Sequence, residues 1–195
     1  MSILVTKEAP DFTAKAVLAN NTFGDLTLSA FRGKYVVLFF YPLDFTFVCP
    51  SEIIAFDRRL EEFQRRSCEV IGVSVDSEYT HLAWKGTPLK EGGLGNVRFP
   101  LVSDIKKEIA RAYGVLFDDA VALRGLFLID KSGVVRHQLV NDLPLGRSVD
   151  EALRMVDALQ FFEAYGEVCP ADWRPGEEAM KPTPEGVAEY LSKRS

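Results

Sequence analysis

Apolar positions along the chain follow two periods. Residues 34–41 (KYVVLFFY) form a continuous apolar run ending at Pro42, which predicts a strand buried on both faces. Beyond it Ile53, Phe56, Leu60 and Phe63 recur at helical spacing, with Asp57, Arg58, Arg59, Glu61 and Glu62 on the opposite side. Residues 68–75 (CEVIGVSV) predict a second buried strand closed by Asp76, and a weaker helical pattern covers 78–85. Residues 90–96 (KEGGLGN) read as a loop, 100–102 as a short strand, and 105–113 as a helix stopped by Gly114. Residues 125–130 and 134–140 predict two strands around the turn Asp130-Lys131-Ser132-Gly133. Ser148-x-x-Glu151 is a capping box opening a helix whose apolar face carries Val149, Ala152, Leu153, Val156 and Leu159.

Strands and helices in this order, with a late antiparallel pair, imply an α/β fold: a central mixed β-sheet flanked by helices. Near Tyr165 the periodicity gives way to prolines (Pro170, Pro175, Pro182, Pro184) and scattered charge. We therefore expect a domain over residues 1–164 and a C-terminal arm over 165–195 whose Val168, Trp173, Val187, Tyr190 and Leu191 need a surface to bury against.

The 195 residues are 47% apolar and 26% charged, which suits a globular chain able to bury a substantial core. Basic residues number 23 and acidic residues 28, a net charge of −5, with no basic run to attract nucleic acid. No apolar run approaches the ~20 residues needed to cross a bilayer, and residues 1–11 lack the apolar segment of a signal peptide. No membrane or nucleic-acid partner is expected, and the expected location is the cytoplasm.

Cysteine supplies the candidate chemistry. Cys49, Cys68 and Cys169 are too few for a disulfide framework and contain no CxxC pair; with only His81 and His137 beside them, no metal site is expected. Cys68 opens an apolar strand and reads as a packing residue, whereas Cys169, on the arm, reads equally as a partner thiol or a surface cysteine. Cys49 differs. It lies in Pro42-Leu43-Asp44-Phe45-Thr46-Phe47-Val48-Cys49-Pro50-Ser51-Glu52, outside the carboxyl end of the most buried strand, where open α/β sheets place their ligands. With Thr46 as N-cap, Cys49 and Pro50 fall in the first helical turn, facing unpaired N–H groups and the positive end of the helix dipole. A free thiol with pKa ~8.5 is only ~3% ionised at pH 7, and such surroundings lower thiol pKa values to ~3.5–7.5. That gain alone does not make fast redox chemistry. A peroxide also needs donors aimed at its departing oxygen, which the Thr46 hydroxyl, backbone N–H groups and an arginine from elsewhere would supply.

The stretch FFYPLDFTFVCPSE (39–52) resembles the active-site signature of typical two-cysteine peroxiredoxins, the group that includes alkyl hydroperoxide reductase C proteins; Pro42, Thr46 and Cys49 meet its Pro-x-x-x-Thr/Ser-x-x-Cys pattern. SVDSEYTHLAW (74–84), GGLG (92–95), RGLFLID (124–130) and GEVCPADW (166–173) resemble further family segments in family order. The resemblance implies a thioredoxin-like fold with a C-terminal extension, and an enzyme reducing hydrogen peroxide and alkyl hydroperoxides without metal, haem or flavin. It makes Cys49 the peroxidatic cysteine, oxidised to a sulfenic acid, and Cys169 the resolving cysteine that forms an intersubunit disulfide with it. Thr46 would bond the peroxide and thiolate, Pro42 would shield the sulfur from water, Arg124 would stabilise the thiolate and transition state, and Glu52 would orient arginine. The implied partners are a second copy in an antiparallel homodimer, commonly five dimers in a ring, and a thioredoxin-type reductant. The length of the arm and its Tyr190-containing end favour that reductant over a dedicated flavoprotein. Readily over-oxidised members pair GGLG with Tyr-Phe in the last helix; here the pair is Tyr190-Leu191, which implies intermediate sensitivity.

Two rival readings differ in class. A cysteine hydrolase would pair Cys49 with His81 or His137, although both histidines read as ordinary polar residues and His81 falls in a segment similar to a peroxiredoxin surface element. A holdase would depend on assembly rather than turnover. Peroxide consumption with a dithiol donor separates the enzyme from both.

Overall fold

The computed structural model describes residues 3–193, which divide by compactness into one unit ending at Val149 and another beginning at Asp150. Among these residues, the first unit holds the strands β1 (Thr13–Val17), β2 (Phe23–Thr27), β3 (Tyr35–Phe40), β4 (Cys68–Ser74), β5 (Leu101–Ser103), β6 (Leu116–Phe117), β7 (Val121–Ala122), β8 (Arg124–Ile129) and β9 (Val135–Asn141). Seven of them form a mixed sheet in the order β2-β1-β5-β4-β3-β8-β9, while β6 and β7 make a separate two-stranded ribbon. β3 runs parallel to β4 and β4 to β5; β8 is antiparallel to β3, and β9 to β8. The hairpin β1–β2 extends the far edge and escapes the sequence pattern, because TAKAV and FGDLT are short and bury only Ala16, Val17 and Leu26.

The apolar run at β3 is buried at every position, as its composition requires. Its residues alternate between two cores. Phe40 meets Tyr113 and Phe127 on one face, together with Val36 and Leu38. On the other face Phe39 stacks on Phe56 at 4.7 Å, and Phe56 leans on Phe63 at 5.9 Å. Phe56 belongs to α1 (Cys49–Arg58) and Phe63 to α2 (Leu60–Arg65). The sequence predicts one continuous helical face here. The face is correct, but the backbone leaves helical geometry at Arg59 (φ −104°, ψ 8°).

α3 (Glu78–Gly86) is capped by the Ser77 side chain, which accepts from the Thr80 amide. Trp84 on α3 donates to the Gly92 carbonyl at 3.0 Å and, through its own carbonyl, accepts from the Leu94 amide, which docks the GGLG loop. Gly93 is obligatory in that loop, since a Cβ there would lie 1.9 Å from the Thr87 carbonyl oxygen. α4 is shorter than the predicted 105–113: it spans Glu108–Ala112. Asp104 folds back to accept from the Ile109 and Ala110 amides, and Lys107 sits at φ 61°, so Ile105 is left outside the helix and exposed. Gly114, at φ 68°, ends it as expected.

The second unit opens with α5 (Val149–Tyr165), the helix marked by the capping box, and closes with α6 (Pro184–Ser192), whose first turn is capped by Thr183. Between them Val168 pairs with Met180, and the buried Trp173 packs on Phe161 at 4.7 Å, so the proline-rich arm has a small core of its own with α5. Among the described residues no helix is long and apolar enough to cross a membrane.

Phe56 joins α1 to the sheet through aromatic contacts on two sides. Phe56→Ala is expected to cost about 3–5 kcal/mol, read as a lowered urea midpoint; an unchanged midpoint would show that α1 is held by other means.

Candidate active site

β3 ends at Phe40, and the chain then turns through Tyr41 to Val48 before α1 begins at Cys49. Pro42 is buried directly beyond the strand. Cys49 occupies the first helical position and Pro50 the second, where a missing N–H costs the helix nothing. The expected N-cap is corrected. Val48, not Thr46, flanks the helix, and no side chain caps it. Thr46 instead turns its hydroxyl inward, 2.9 Å from the Leu43 carbonyl and 3.0 Å from Cys49 Sγ.

That hydroxyl has a single hydrogen, and the two neighbours compete for it. A carbonyl can only accept. When the sulfur is a thiol, its S–H can donate to Oγ1 while the hydroxyl donates to Leu43; when it is a thiolate, the hydroxyl can donate to sulfur. Thr46 therefore serves both protonation states without moving a heavy atom.

Arg124, the first residue of β8, places Nη1 3.4 Å from Cys49 Sγ and 2.7 Å from Glu52 Oε2. Its Nε donates to the Leu143 carbonyl at 2.7 Å, which fixes the guanidinium plane. Glu52 lies three residues after Cys49, hence on the same helix face. A second guanidinium, from Arg147, was not anticipated. Its Nε and Nη2 donate to the two oxygens of Glu52 at 2.8 and 3.0 Å, and its amide donates to Oε1 at 2.8 Å. Nη1 donates to the Phe40 carbonyl at 2.8 Å and to that of Gly125. Arg147 sits in an irregular segment just ahead of α5, where no periodicity singles it out; the nearest clue was the capping box that begins one residue later.

Cys49, Glu52, Arg124 and Arg147 are all buried. Burial pulls the Arg147 guanidinium below its ordinary value, and the bonds to Glu52 oppose that fall. Arginine stays protonated in proteins, so the cluster holds two positive charges against one carboxylate. A thiolate at Cys49 brings the sum to zero, and a neutral thiol leaves it positive.

The other cysteines separate cleanly. Cys68 is buried and burial pushes its thiol up to about 12, which makes it an inert packing residue as its sequence context suggested. Cys169, between α5 and α6, is half-buried, and its Sγ lies 3.5 Å from the Ala158 carbonyl; burial raises its thiol, with Arg154 opposing. His81 is not a surface residue: it is fully buried on α3, with Nδ1 2.7 Å from Asp44 and Nε2 3.1 Å from the Val102 carbonyl. Both ring nitrogens are thereby engaged, which removes the basis for a Cys49–His81 hydrolase.

A helix-start sulfur facing a hydroxyl and a guanidinium, beside a mixed sheet, defines a cysteine-based redox site on an α/β scaffold. The AhpC/TSA family model matches residues 5–138, and that of the C-terminal domain of 1-Cys peroxiredoxin matches 158–193. The chain is 60% identical over 195 residues to alkyl hydroperoxide reductase C of Helicobacter pylori, covering 99% of this chain and 98% of that protein. It is 58% identical over 191 residues to peroxiredoxin-1 of Gallus gallus, covering 97% and 96%. The crystal structure of reduced Plasmodium vivax 2-Cys peroxiredoxin superposes with a TM-score of 0.96 at 59% identity, over 98% of this chain and all of that one. The chain belongs to the AhpC/TSA family of peroxiredoxins, with the thioredoxin-like fold of its solved relatives.

Arg147 carries two of the three side-chain bonds that stabilise Glu52 and bonds two carbonyls besides. Arg147→Met should destabilise the protein by about 3–5 kcal/mol in urea unfolding, because the carboxylate and carbonyls stay buried with fewer partners. A variant as stable as the parent would mean that Arg124 alone balances Glu52.

Proposed function

We propose that this protein is a thiol peroxidase that reduces hydrogen peroxide and small alkyl hydroperoxides through Cys49, and that it serves antioxidant defence. The observation that carries the reading is the surplus guanidinium beside a sulfur that also faces the Thr46 hydroxyl. The Cys49 thiolate attacks the terminal peroxide oxygen and the O–O bond breaks. Sulfur gives up two electrons and becomes a sulfenic acid, and the departing oxygen takes a proton to leave as water or alcohol. Arg124 and Thr46 stabilise charge as it moves from sulfur to the departing oxygen. Glu52 and Arg147 hold Arg124 in place, and Pro42 keeps water from the sulfur.

Cys169, at the head of the arm we assign to 165–195, then attacks the sulfenic sulfur. A disulfide forms and the sulfenic oxygen leaves as water. Cys49 is 0% exposed, so the first turn of α1 has to open before another thiol reaches it. We assign the disulfide to two subunits of an antiparallel homodimer, five of which form a ring. A thioredoxin-type dithiol supplies two electrons to restore both thiols. Three unpaired cysteines suit a reducing compartment, and we place the protein in the cytoplasm.

Cys49→Ser should abolish peroxide consumption in a thioredoxin-coupled assay. Cys169→Ser should retain one fast turnover in stopped flow yet lose cycling and the disulfide-linked dimer on a non-reducing gel. Persistence of that dimer in Cys169→Ser, with its loss in Cys68→Ser, would transfer the resolving role to Cys68. Leu191, which is 57% exposed, stands where readily over-oxidised relatives carry phenylalanine. Leu191→Phe is expected to inactivate at lower peroxide than the parent; superimposable inactivation curves would remove that role.

A further inference from the structure

Beside the Cys49 cluster lies a buried network that the chemistry above does not use. Tyr41 donates its phenolic hydrogen to Asp44 Oδ1 at 2.9 Å, and Asp44 Oδ2 lies 2.7 Å from His81 Nδ1. His81 Nε2 lies 3.1 Å from the Val102 carbonyl, and the Asp44 amide donates to Asp76 Oδ2 at 2.8 Å. Both side chains of the Asp44–His81 pair are 0% exposed.

The acceptors fix the proton count. A carbonyl only accepts, so Nε2 carries a hydrogen. A carboxylate also only accepts, so either Nδ1 carries a second hydrogen or the carboxyl itself does. Each assignment leaves the pair with one proton more than a carboxylate beside a neutral imidazole. Without that proton, two lone pairs face each other at Nδ1 or at Nε2, in a place where water does not repair the loss.

The pair sits at the turn that presents Thr46. Leu43, whose carbonyl accepts from the Thr46 hydroxyl, directly precedes Asp44. Phe45, between Asp44 and Thr46, is held in the left-handed region at φ 53°, a conformation that a side-chain-bearing residue keeps only when its surroundings impose it. Its ring lies 5.6 Å from Trp84, one turn along α3 from His81. The turn is therefore clamped to α3 on both sides of the strained residue.

We propose that Asp44 and His81 share one buried proton, and that the protonated pair is a positioning device which keeps the Thr46 hydroxyl against the Cys49 sulfur. This deepens the peroxidase reading and rests on it. The titratable groups facing the pair are Tyr41 at the end of β3 and Asp76 beyond β4. Burial holds Tyr41 well above its ordinary value, so it remains a donor. Burial also raises the Asp44 carboxyl and Asp76 adds to the rise, while the bonds from His81 and Tyr41 oppose it. Because the shared proton joins the two side chains, their hold on the turn is complete while the pair is protonated and is lost on the alkaline side, where that proton leaves.

The test is stopped-flow oxidation of the reduced protein by hydrogen peroxide across pH, with thermal unfolding measured on the same samples. His81→Leu and Asp44→Ala should slow the peroxide step by about tenfold or more at neutral pH, since a displaced donor is costly in the transition state. Asp44→Asn should recover most of that loss, because an amide accepts from Tyr41 and donates to an unprotonated Nδ1, and it should remove the alkaline decline. Neutron diffraction of the reduced parent at neutral pH should find hydrogen on Nε2 and one more between Nδ1 and Asp44. A ring protonated at Nδ1 alone would overturn the proposal, whatever the variants do. So would folded His81→Leu and Asp44→Ala variants as fast as a fast parent, which would leave the peroxidase reading standing. A parent no faster than an ordinary thiol would sink both.

Discussion

Two guanidiniums buried against one carboxylate constrain everything around them. Charge taken out of water has to be balanced locally, and Glu52 balances only one of the two arginines. The other ionisable atom beside Arg124 is Cys49 Sγ at 3.4 Å. The sulfur thus faces a guanidinium in a place closed to water. The arrangement also ties together four distant stretches of chain, because β3, α1, β8 and the segment before α5 each contribute a group to the same cluster.

The rest of the first unit can be understood as support for that cluster. β3 is buried on both faces, which leaves its carboxyl end as the place where the backbone must emerge and turn. Phe39 and Phe56 lock the following helix to the sheet, so the first turn of α1 is held in register with the strand beside it. Arg147 donates to the Phe40 carbonyl and lies over the Phe39 ring at 5.2 Å, so the charged cluster and the aromatic core share side chains. The α3 helix then steadies the outer side of the turn through His81 and Trp84.

Reactivity and recycling make opposed demands on this construction. In the reaction we propose, attack on a peroxide needs a closed site in which Thr46 and Arg124 are fixed before the substrate arrives. The proposed disulfide step needs the same buried sulfur to come out. A helix that begins without a side-chain cap and carries proline at its second position has little local hydrogen bonding to lose when its first turn opens. The stability of that turn therefore comes from tertiary contacts to Cys49 and Glu52.

Much of this was legible in the sequence. The run KYVVLFFY read as a strand buried on both faces, which Tyr35–Phe40 is, and the helical recurrence of Ile53, Phe56, Leu60 and Phe63 marked the correct face even though the backbone breaks at Arg59. The motif from Pro42 to Glu52 singled out Cys49, and the family segments pointed to Cys169 and to Arg124, whose guanidinium lies 3.4 Å from the Cys49 sulfur. These are local or periodic signals, written in neighbouring residues. What they left open depends on groups far apart in the chain. The turn of Thr46 away from capping, the second guanidinium from Arg147 and the burial of His81 against Asp44 each arise when separate elements converge, and no spacing along the chain encodes them. Sequence determined which residues are able to do chemistry; the tertiary structure decided which charges and protons they share, because balancing a buried charge is a property of the assembled neighbourhood and not of any one segment.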